Sequence, residues 1–312
     1  MMSDSRRSSA AVALVAAALG WSLAPVFIRG LSGVYTPCAQ NFLRYGGGAA
    51  PLVVISMVAY RDDLRVVLRN YRGMVAIAAL NVVQQSLWTI GCTGAGATMA
   101  QLTSKLSVVL VIIFSFLLFR EERPVIRSPL YLIGTLMGLV GVAGVISRDA
   151  GSLVPVFDFP LVALLLVAVL WGLYTVWGKH LVTHVHPVPM FTVLAVYTTI
   201  AFGILMLVLD GPSVVIDGGP RLALLAVLSG VVPIAMAHTC FHFAQKHLGS
   251  ALSASILLLN PLVTYAIALA FWSDERLILT QWLGAVVLLI GAFLVTYAGH
   301  RVHRSRARQD EG

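Results

Sequence analysis

The sequence contains few charged residues and few cysteines, and both shortages narrow the class of protein. Charged side chains make up 11% of the 312 residues, whereas soluble domains carry about 25%. Three cysteines, Cys38, Cys92 and Cys240, are too few for the disulfide framework of a small secreted domain. We expect all three to be buried thiols. The chain is therefore neither an ordinary soluble domain nor a disulfide scaffold.

The sequence consists mainly of long runs of apolar residues. Hydrophobic residues make up 59% of the chain, and the mean hydropathy is +0.90. The runs are about 20 residues long, without alternation or amphipathic period, so each one spans the ~30 Å hydrocarbon core as a single helix. Ten transmembrane helices are predicted, at 10–28, 38–59, 74–92, 98–119, 130–146, 160–177, 188–209, 222–244, 250–271 and 281–298. The fold class is therefore an all-α integral membrane protein, and its function lies inside the bilayer.

The positions of the basic residues predict the orientation. With a cytoplasmic N-terminus, 15 of the 21 Lys and Arg residues fall in inner segments. The outer loops hold four, Arg29, Arg148, Arg221 and Arg276. By the positive-inside rule both termini are cytoplasmic, and the net charge of +8 needs no nucleic-acid partner. Residues 299–312 are predicted to form a basic cytoplasmic tail against anionic lipid. We expect a multi-pass protein of the cell membrane, such as a bacterial inner membrane.

The two halves of the chain resemble each other. At an offset of about 150 residues, Trp21-Ser22-Leu23 corresponds to Trp171-Gly172-Leu173, and a similar offset pairs Glu122 with Glu275. We predict one membrane domain made of a first repeat, 10–147, and a second repeat, 160–298. Because each repeat has five helices, an odd number, the second repeat is inverted in the membrane. Inverted repeats are typical of secondary transporters, whose substrate site lies near the midplane between the halves.

These features together resemble those of one transporter family. A Gly-bearing helix follows both Glu122 and Glu275, and the ninth helix contains Asn260-Pro261. In this order and duplication they resemble the EamA-type branch of the drug/metabolite transporter superfamily, over residues 10–298. The resemblance implies transport of a small metabolite through a cavity lined by helices one to four and six to nine. The fourth helix departs from the pattern, since it has Ser107-Val108 with Lys105 just before it.

Acidic residues are absent from the middle of every predicted helix, whereas two cations are present. All 13 acidic residues lie in loops or at helix ends. Arg44 and Lys105 both lie about 9 to 10 Å below the outer boundary, at 1.5 Å per residue. An unpaired cation costs roughly 2.5 to 3.5 kcal/mol at a helix centre. We therefore predict an anion or carboxylate site formed by Arg44 and Lys105, with Gln85 as a polar contact. The alternative is that both cations reach the interface or donate to backbone carbonyls.

Further candidates for the substrate site lie near the predicted midplane: Trp21, Trp171, Asn81 and Asn260. The two tryptophans are repeat partners that either line the cavity or pack as core. Asn81 either contacts substrate or hydrogen-bonds between helices. His238 corresponds to Gln85 in the repeat and is a candidate for the cavity and for proton coupling.

The sequence favours a secondary transporter for an anionic or zwitterionic metabolite, working by alternating access. It contains no phosphate-binding loop for ATP, and we predict no metal and no cofactor. Two alternatives stay open: a membrane-embedded enzyme, disfavoured because no set of nucleophile, acid and base converges, and a non-transporting receptor or assembly subunit. A homodimer also stays open, because the glycine stripe of the fifth helix suits packing within the chain or between two copies.

Overall fold

The computed structural model describes residues 4–107, 110, 128–147, 158–181, 185–248 and 256–310, and their regular elements are helices. The helices are α1 (Asp4–Leu31), α2 (Pro37–Ala59), α3 (Arg61–Arg69), α4 (Tyr71–Gly94), α5 (Ala97–Ser104), α6 (Pro129–Val145), α7 (Phe159–Leu181), α8 (Pro187–Leu209), α9 (Val214–Asp217), α10 (Gly219–Gly230), α11 (Ala237–Leu248), α12 (Asn260–Leu269) and α13 (Leu279–Asp310). A π-helix, Val231–Met236, joins α10 to α11, and a 3₁₀ turn, Ser273–Glu275, follows α12.

Six of these helices are long and apolar enough to cross a membrane. They are Ser8–Leu31, Pro37–Ala59, Tyr71–Gly94, Pro187–Leu209, Gly219–Ala244 and Leu279–Ala298. Shorter apolar helices occupy Pro129–Val145, Phe159–Tyr174 and Asn260–Leu269. The predicted all-α membrane fold is therefore confirmed. The count of ten spans stays a prediction, because the predicted fourth and ninth spans lie partly outside the described residues.

Two of the long helices begin in the same way because of their sequence. Thr36 caps α2 by accepting a hydrogen bond from the Ala39 amide at 3.2 Å, and Pro37 follows at the first helical position. His186 caps α8 in the same manner, and Pro187 follows it. Proline is well suited to this position because the first amides of a helix have no partner inside the helix. These two helices occupy corresponding places in the two halves.

The largest contacts between helices are symmetric: each large contact that a helix of one half makes has a corresponding contact in the other half. α2 packs against α8, its counterpart, and α6 packs against α13, its counterpart. α4 packs against α7, while α1 packs against α11. The last two contacts correspond to each other in the repeat. α7 is the second-half counterpart of α1, and α11 is part of the counterpart of α4. The contacts therefore support an architecture of two repeats.

The contact between α6 and α13 is made by glycines. A Cβ atom at Gly141 would lie 2.4 Å from the backbone nitrogen of Leu288, and one at Gly134 would lie 2.8 Å from the carbonyl oxygen of Gly291. Gly284 faces α6 with equally little space. Small residues allow two membrane helices to approach closely and to gain van der Waals contact. The stripe therefore packs within the chain, so it does not offer a surface to a second copy.

The structure adds helices where loops and a tail were expected. α3 follows α2 directly after Tyr60, with exposed charges at Asp62 and Arg65 and a fully buried Val67. One apolar face opposite a charged face is typical of a helix at a membrane surface. α13 continues to Asp310, so most of the predicted basic tail is helical.

Replacing Gly141 with alanine should destabilise the bundle by about 1 to 3 kcal/mol, because the added methyl group overlaps the backbone of α13. The measurement is thermal unfolding of the purified protein in detergent. Gly33→Ala is the control, since no atom lies within 4 Å of its added Cβ. Equal melting temperatures for the two variants would contradict the close packing of α6 on α13.

Candidate functional site

A contact between glycines and backbone places Arg44 inside the bundle. A Cβ atom at Gly230 would lie 1.7 Å from the carbonyl oxygen of Arg44, so α10 touches the backbone of α2 at this point. One turn further along α2, a Cβ atom at Gly48 would lie 2.7 Å from a methyl carbon of Ile234. Arg44 is consequently only 3% exposed. Its burial follows from the absence of side chains at the neighbouring glycines.

The guanidinium of Arg44 has an incomplete set of partners. Its Nη1 donates to Oδ1 of Asn41 at 3.1 Å, and Asn41 in turn donates to the hydroxyl of Thr89 at 2.9 Å. Its Nε has no acceptor, and within the described part of the chain no carboxylate pairs with it. Burying a charge is unfavourable unless it is paired and hydrogen-bonded. The site therefore holds a positive charge whose Nε donor has no partner among the described residues.

Lys105 follows the last residue of α5 and belongs to a different part of the bundle. α5 packs mainly against α12, α1 and α7, whereas α2 packs mainly against α8 and α10. Among the described residues, none forms an ion pair or a hydrogen bond with the Lys105 ammonium. The two predicted cations thus lie in different parts of the bundle, and among the described residues no bond joins them.

Trp21 and His238 meet at one backbone carbonyl. The indole nitrogen of Trp21 donates to the Pro233 oxygen at 3.0 Å, and Nδ1 of His238 lies 3.0 Å from the same oxygen. Pro233 is inside the π-helix, where the wider turn displaces backbone groups from the regular pattern. The ring of Phe191 stacks on His238 with centroids 4.0 Å apart. An aromatic cluster therefore joins α1, α8 and α11.

The two predicted asparagines connect the halves of the chain. Asn81 donates to the hydroxyl of Thr198 at 3.0 Å, and both side chains are buried. The carbonyl oxygen of Asn260 accepts a hydrogen bond from Ser22 at 3.3 Å. The side-chain Oδ1 of Asn260 is buried and has no partner among the described residues. Asn81 therefore has a side-chain partner, whereas the side-chain oxygen of Asn260 has none among the described residues.

Gln85 lies beside the polar group of Arg44, whereas Trp171 has different surroundings from its repeat partner Trp21. The carbonyl oxygen of Gln85 accepts a hydrogen bond from Asn41 at 3.3 Å, so Gln85 borders the polar group around Arg44. The ring of Trp171 is 37% exposed and lies 5.5 Å from that of Tyr174. Trp21 packs on His238 instead. The two tryptophans therefore correspond in the sequence but differ in their surroundings.

Glu275, which the sequence placed in the repeat and in the family motif, is a buried carboxylate. It is 4% exposed and accepts hydrogen bonds from the backbone amides of Ala97 at 2.7 Å and Thr98 at 3.0 Å. Arg29 donates to the same carboxylate. The sequence predicted Arg29 and Arg276, the neighbour of Glu275, in outer loops, and this was the only sequence signal that could have brought Arg29 and Glu275 together. Because Arg29 and Glu275 lie far apart in the sequence, their ion pair could not be predicted from it.

Gly230→Ala should destabilise the protein by about 1 to 3 kcal/mol and displace Arg44, because the new methyl group overlaps the Arg44 carbonyl. Gly46→Ala is the matched control on α2, since its added Cβ meets only a methyl carbon of Thr199 at 3.5 Å. Replacing an unhindered helix glycine by alanine stabilises by up to about 1 kcal/mol. Thermal unfolding of both variants measures the effect. Opposite signs are expected, and a shared sign would contradict the placement of Arg44.

The comparisons with known proteins agree with this architecture. The sequence profile of the EamA-like transporter family matches residues 8–147 and residues 159–297. No curated protein matches the sequence. A solved crystal structure, described only as that of a protein, shares the fold with a TM-score of 0.65 and 19% sequence identity, covering 95% of this chain and 99% of that chain. Because the family profile covers both halves and most of the chain, this protein belongs to the EamA-like transporter family and is a multi-pass membrane transporter.

Proposed function

We propose that the protein is a secondary transporter that moves a small anionic or zwitterionic metabolite across the cell membrane by alternating access. Family membership supports the transport of a small molecule. The observation that supports an anion is the buried Arg44 guanidinium, which has one hydrogen-bonded side chain and no carboxylate partner among the described residues. No ATP-binding loop is present in the sequence, so the driving force is a gradient.

The distribution of charge in the bundle favours a negative group on the solute. Among the described residues, the buried carboxylate is Glu275, and its oxygens already accept bonds from Arg29 and from two amides. Arg44 and Lys105 therefore have no protein anion to neutralise them in the part of the chain that the structure describes. A carboxylate or phosphate suits a guanidinium because it accepts two parallel hydrogen bonds with opposite charge. The solute supplies the missing anion.

Other polar and aromatic groups of the bundle suit a second, neutral or cationic, part of the solute. Oδ1 of Asn260 is a buried acceptor without a partner among the described residues. The faces of Trp21 and Phe191 border His238, and aromatic faces attract ammonium groups. A zwitterion would place its carboxylate toward Arg44 and its ammonium toward these groups. This division accounts for both charges without an acidic side chain.

Two local features support a rocking motion of the two repeats. The largest helix contacts run between the halves, so a rocking motion would change these contacts. The π-helix at Pro233 and the end of α5 at Ser104 interrupt regular helices beside the proposed site. Discontinuous helices around a midplane site are a recurring property of secondary transporters. With both termini cytoplasmic, the end of α1 at Leu31 faces outward.

A ligand screen tests the charge of the solute. Carboxylates, phosphates, amino acids and organic cations are added to the purified protein, and its thermal unfolding is followed. A ligand at about 100 times its dissociation constant stabilises the folded state by roughly 2.7 kcal/mol. We expect anionic or zwitterionic compounds to stabilise the wild type and to lose this effect in Arg44→Gln and Lys105→Met.

Arg65→Gln is the matched control for this screen, because it removes an exposed arginine of α3 that pairs with the exposed Asp62. It should keep the full response to ligands. The compounds that stabilise the wild type are then tested for flux into sealed proteoliposomes. Stabilisation by cations alone, or an unchanged response in both variants, would remove Arg44 and Lys105 from the site.

A further inference from the structure

A cluster of charges joins the two repeats at the end of the bundle where α1 terminates. Arg29, in the last turn of α1, donates to Glu275 and to Asp274, and its guanidinium lies 4.9 Å from the ring centre of Trp272. Glu275 also accepts from the first two amides of α5. We call the contacts of Glu275 with Arg29 and with the amides of α5 the Glu275 latch. It connects α1 and α5, from the first repeat, with the segment after α12, from the second.

The latch is electrostatically complete, in contrast to Arg44. Both oxygens of Glu275 accept hydrogen bonds, and its side chain is 2% exposed. The amides at a helix N-terminus carry partial positive charge and favour an anion. Asp274, also bonded to Arg29, has a side chain that is 70% exposed. The strength of the latch therefore resides in Glu275, while Asp274 is screened by water.

The backbone of α5 is shaped to receive this carboxylate. Gly96 precedes the helix with a φ of +95°, a backbone angle that residues other than glycine rarely adopt. A Cβ atom at this position would lie 3.0 Å from Oε1 of Glu275 and 3.3 Å from Nη1 of Arg29. The local conformation turns the amides of Ala97 and Thr98 toward the carboxylate. A second-repeat side chain thus occupies a cradle built by the first repeat.

α5 connects the latch to the proposed substrate site. Glu275 binds its first turn, and Lys105 follows its last residue, Ser104. In between, the side chain of Gln101 donates to the carbonyl oxygen of Trp21 at 3.0 Å, which ties α5 to α1 a second time. A displacement at one end of this short helix therefore moves the residues at its other end.

The latch also borders open space. A cleft of about 210 Å³ lies beside residues 274–277 and is lined as well by Ala95 and by Met99 of α5. The segment that carries Glu275 is thus not packed on every side, and it has open space next to α5 into which it can move.

We propose that Glu275 is a positioning residue of the transport cycle: its carboxylate holds α1 and α5 together to close the outer end, and it leaves the amides of α5 when that end opens. The proposal rests on the alternating access and the orientation given under the proposed function. It assigns Glu275 to the coupling between outer closure and the position of α5, not to contact with the solute. Removing the negative charge shifts the population toward the outward-open state, because the closed state loses its ion pair and both amide bonds.

The native thiol of Cys92 reports the separation of α1 from α5. Cys92 is fully buried and packs with Ile28 of α1 and Ala100 of α5, on the two helices that the latch joins. In a background with Cys38→Ser and Cys240→Ser, its reaction with a membrane-impermeant maleimide is measured from the outer side of sealed vesicles. No solute is added, so the result is independent of the substrate class.

We expect Glu275→Gln to raise the rate of Cys92 labelling about fivefold or more, in the range of typical coupling between conformations. Asp274→Asn is the matched control, since it removes the exposed acidic partner of the same arginine, and its rate should stay within about twofold of wild type. Arg29→Gln should act like Glu275→Gln. Arg29→Lys, which keeps the charge, should label more slowly than Arg29→Gln.

Monodisperse elution in gel filtration is required of each variant, and Arg29→Gln carries the test alone if Glu275→Gln fails this criterion. Labelling at the wild-type rate in the folded variants overturns the latch, even if the ligand screen supports an anionic solute. Equal acceleration by Asp274→Asn overturns it as well, because the effect would then be a general loss of acidic charge. Faster labelling with no ligand response in the screen would support the latch and contradict the proposed solute.

Discussion

The approach of Gly230 to the carbonyl oxygen of Arg44 is the contact on which the candidate site depends. It brings the third long helix of the second half against the second helix of the first half, with no side chain between the backbones. Arg44 is then too deep to reach water, being 3% exposed. A cation in such a position has a high free energy unless an anion accompanies it. The proposed chemistry of the solute follows from this one packing constraint.

Two arginines differ in how completely their guanidinium groups are partnered. Arg29 has Glu275, Asp274 and the ring of Trp272 around its guanidinium. Arg44 has Asn41 and an unbonded Nε. A guanidinium with full partners stabilises one arrangement of the helices, whereas one with free donors retains capacity for a ligand. The two side chains thus act at different places, one at the end of the bundle and one in its interior.

The symmetry of the two repeats is retained in the backbone but not at every side chain. The helix contacts follow the exchange of the halves, and α2 and α8 begin with the same cap and proline arrangement. Trp21 nevertheless packs on His238 against the Pro233 carbonyl, while Trp171 is partly exposed beside Tyr174. The two repeats therefore share a backbone arrangement but present different side chains at corresponding positions.

The sequence by itself determined the all-helical membrane fold, the two-repeat organisation, the family and the burial of Arg44. Hydrophobic length and the repeated motifs are local or periodic properties, so they can be read without coordinates. Only the tertiary structure decided that the glycine stripe of α6 packs on α13, that His238 shares a carbonyl with Trp21, and that Glu275 caps α5. These contacts join residues far apart in the chain. An apolar run, moreover, carries no amphipathic pattern to show which face meets which neighbour, so the partners became visible only once the helices were packed.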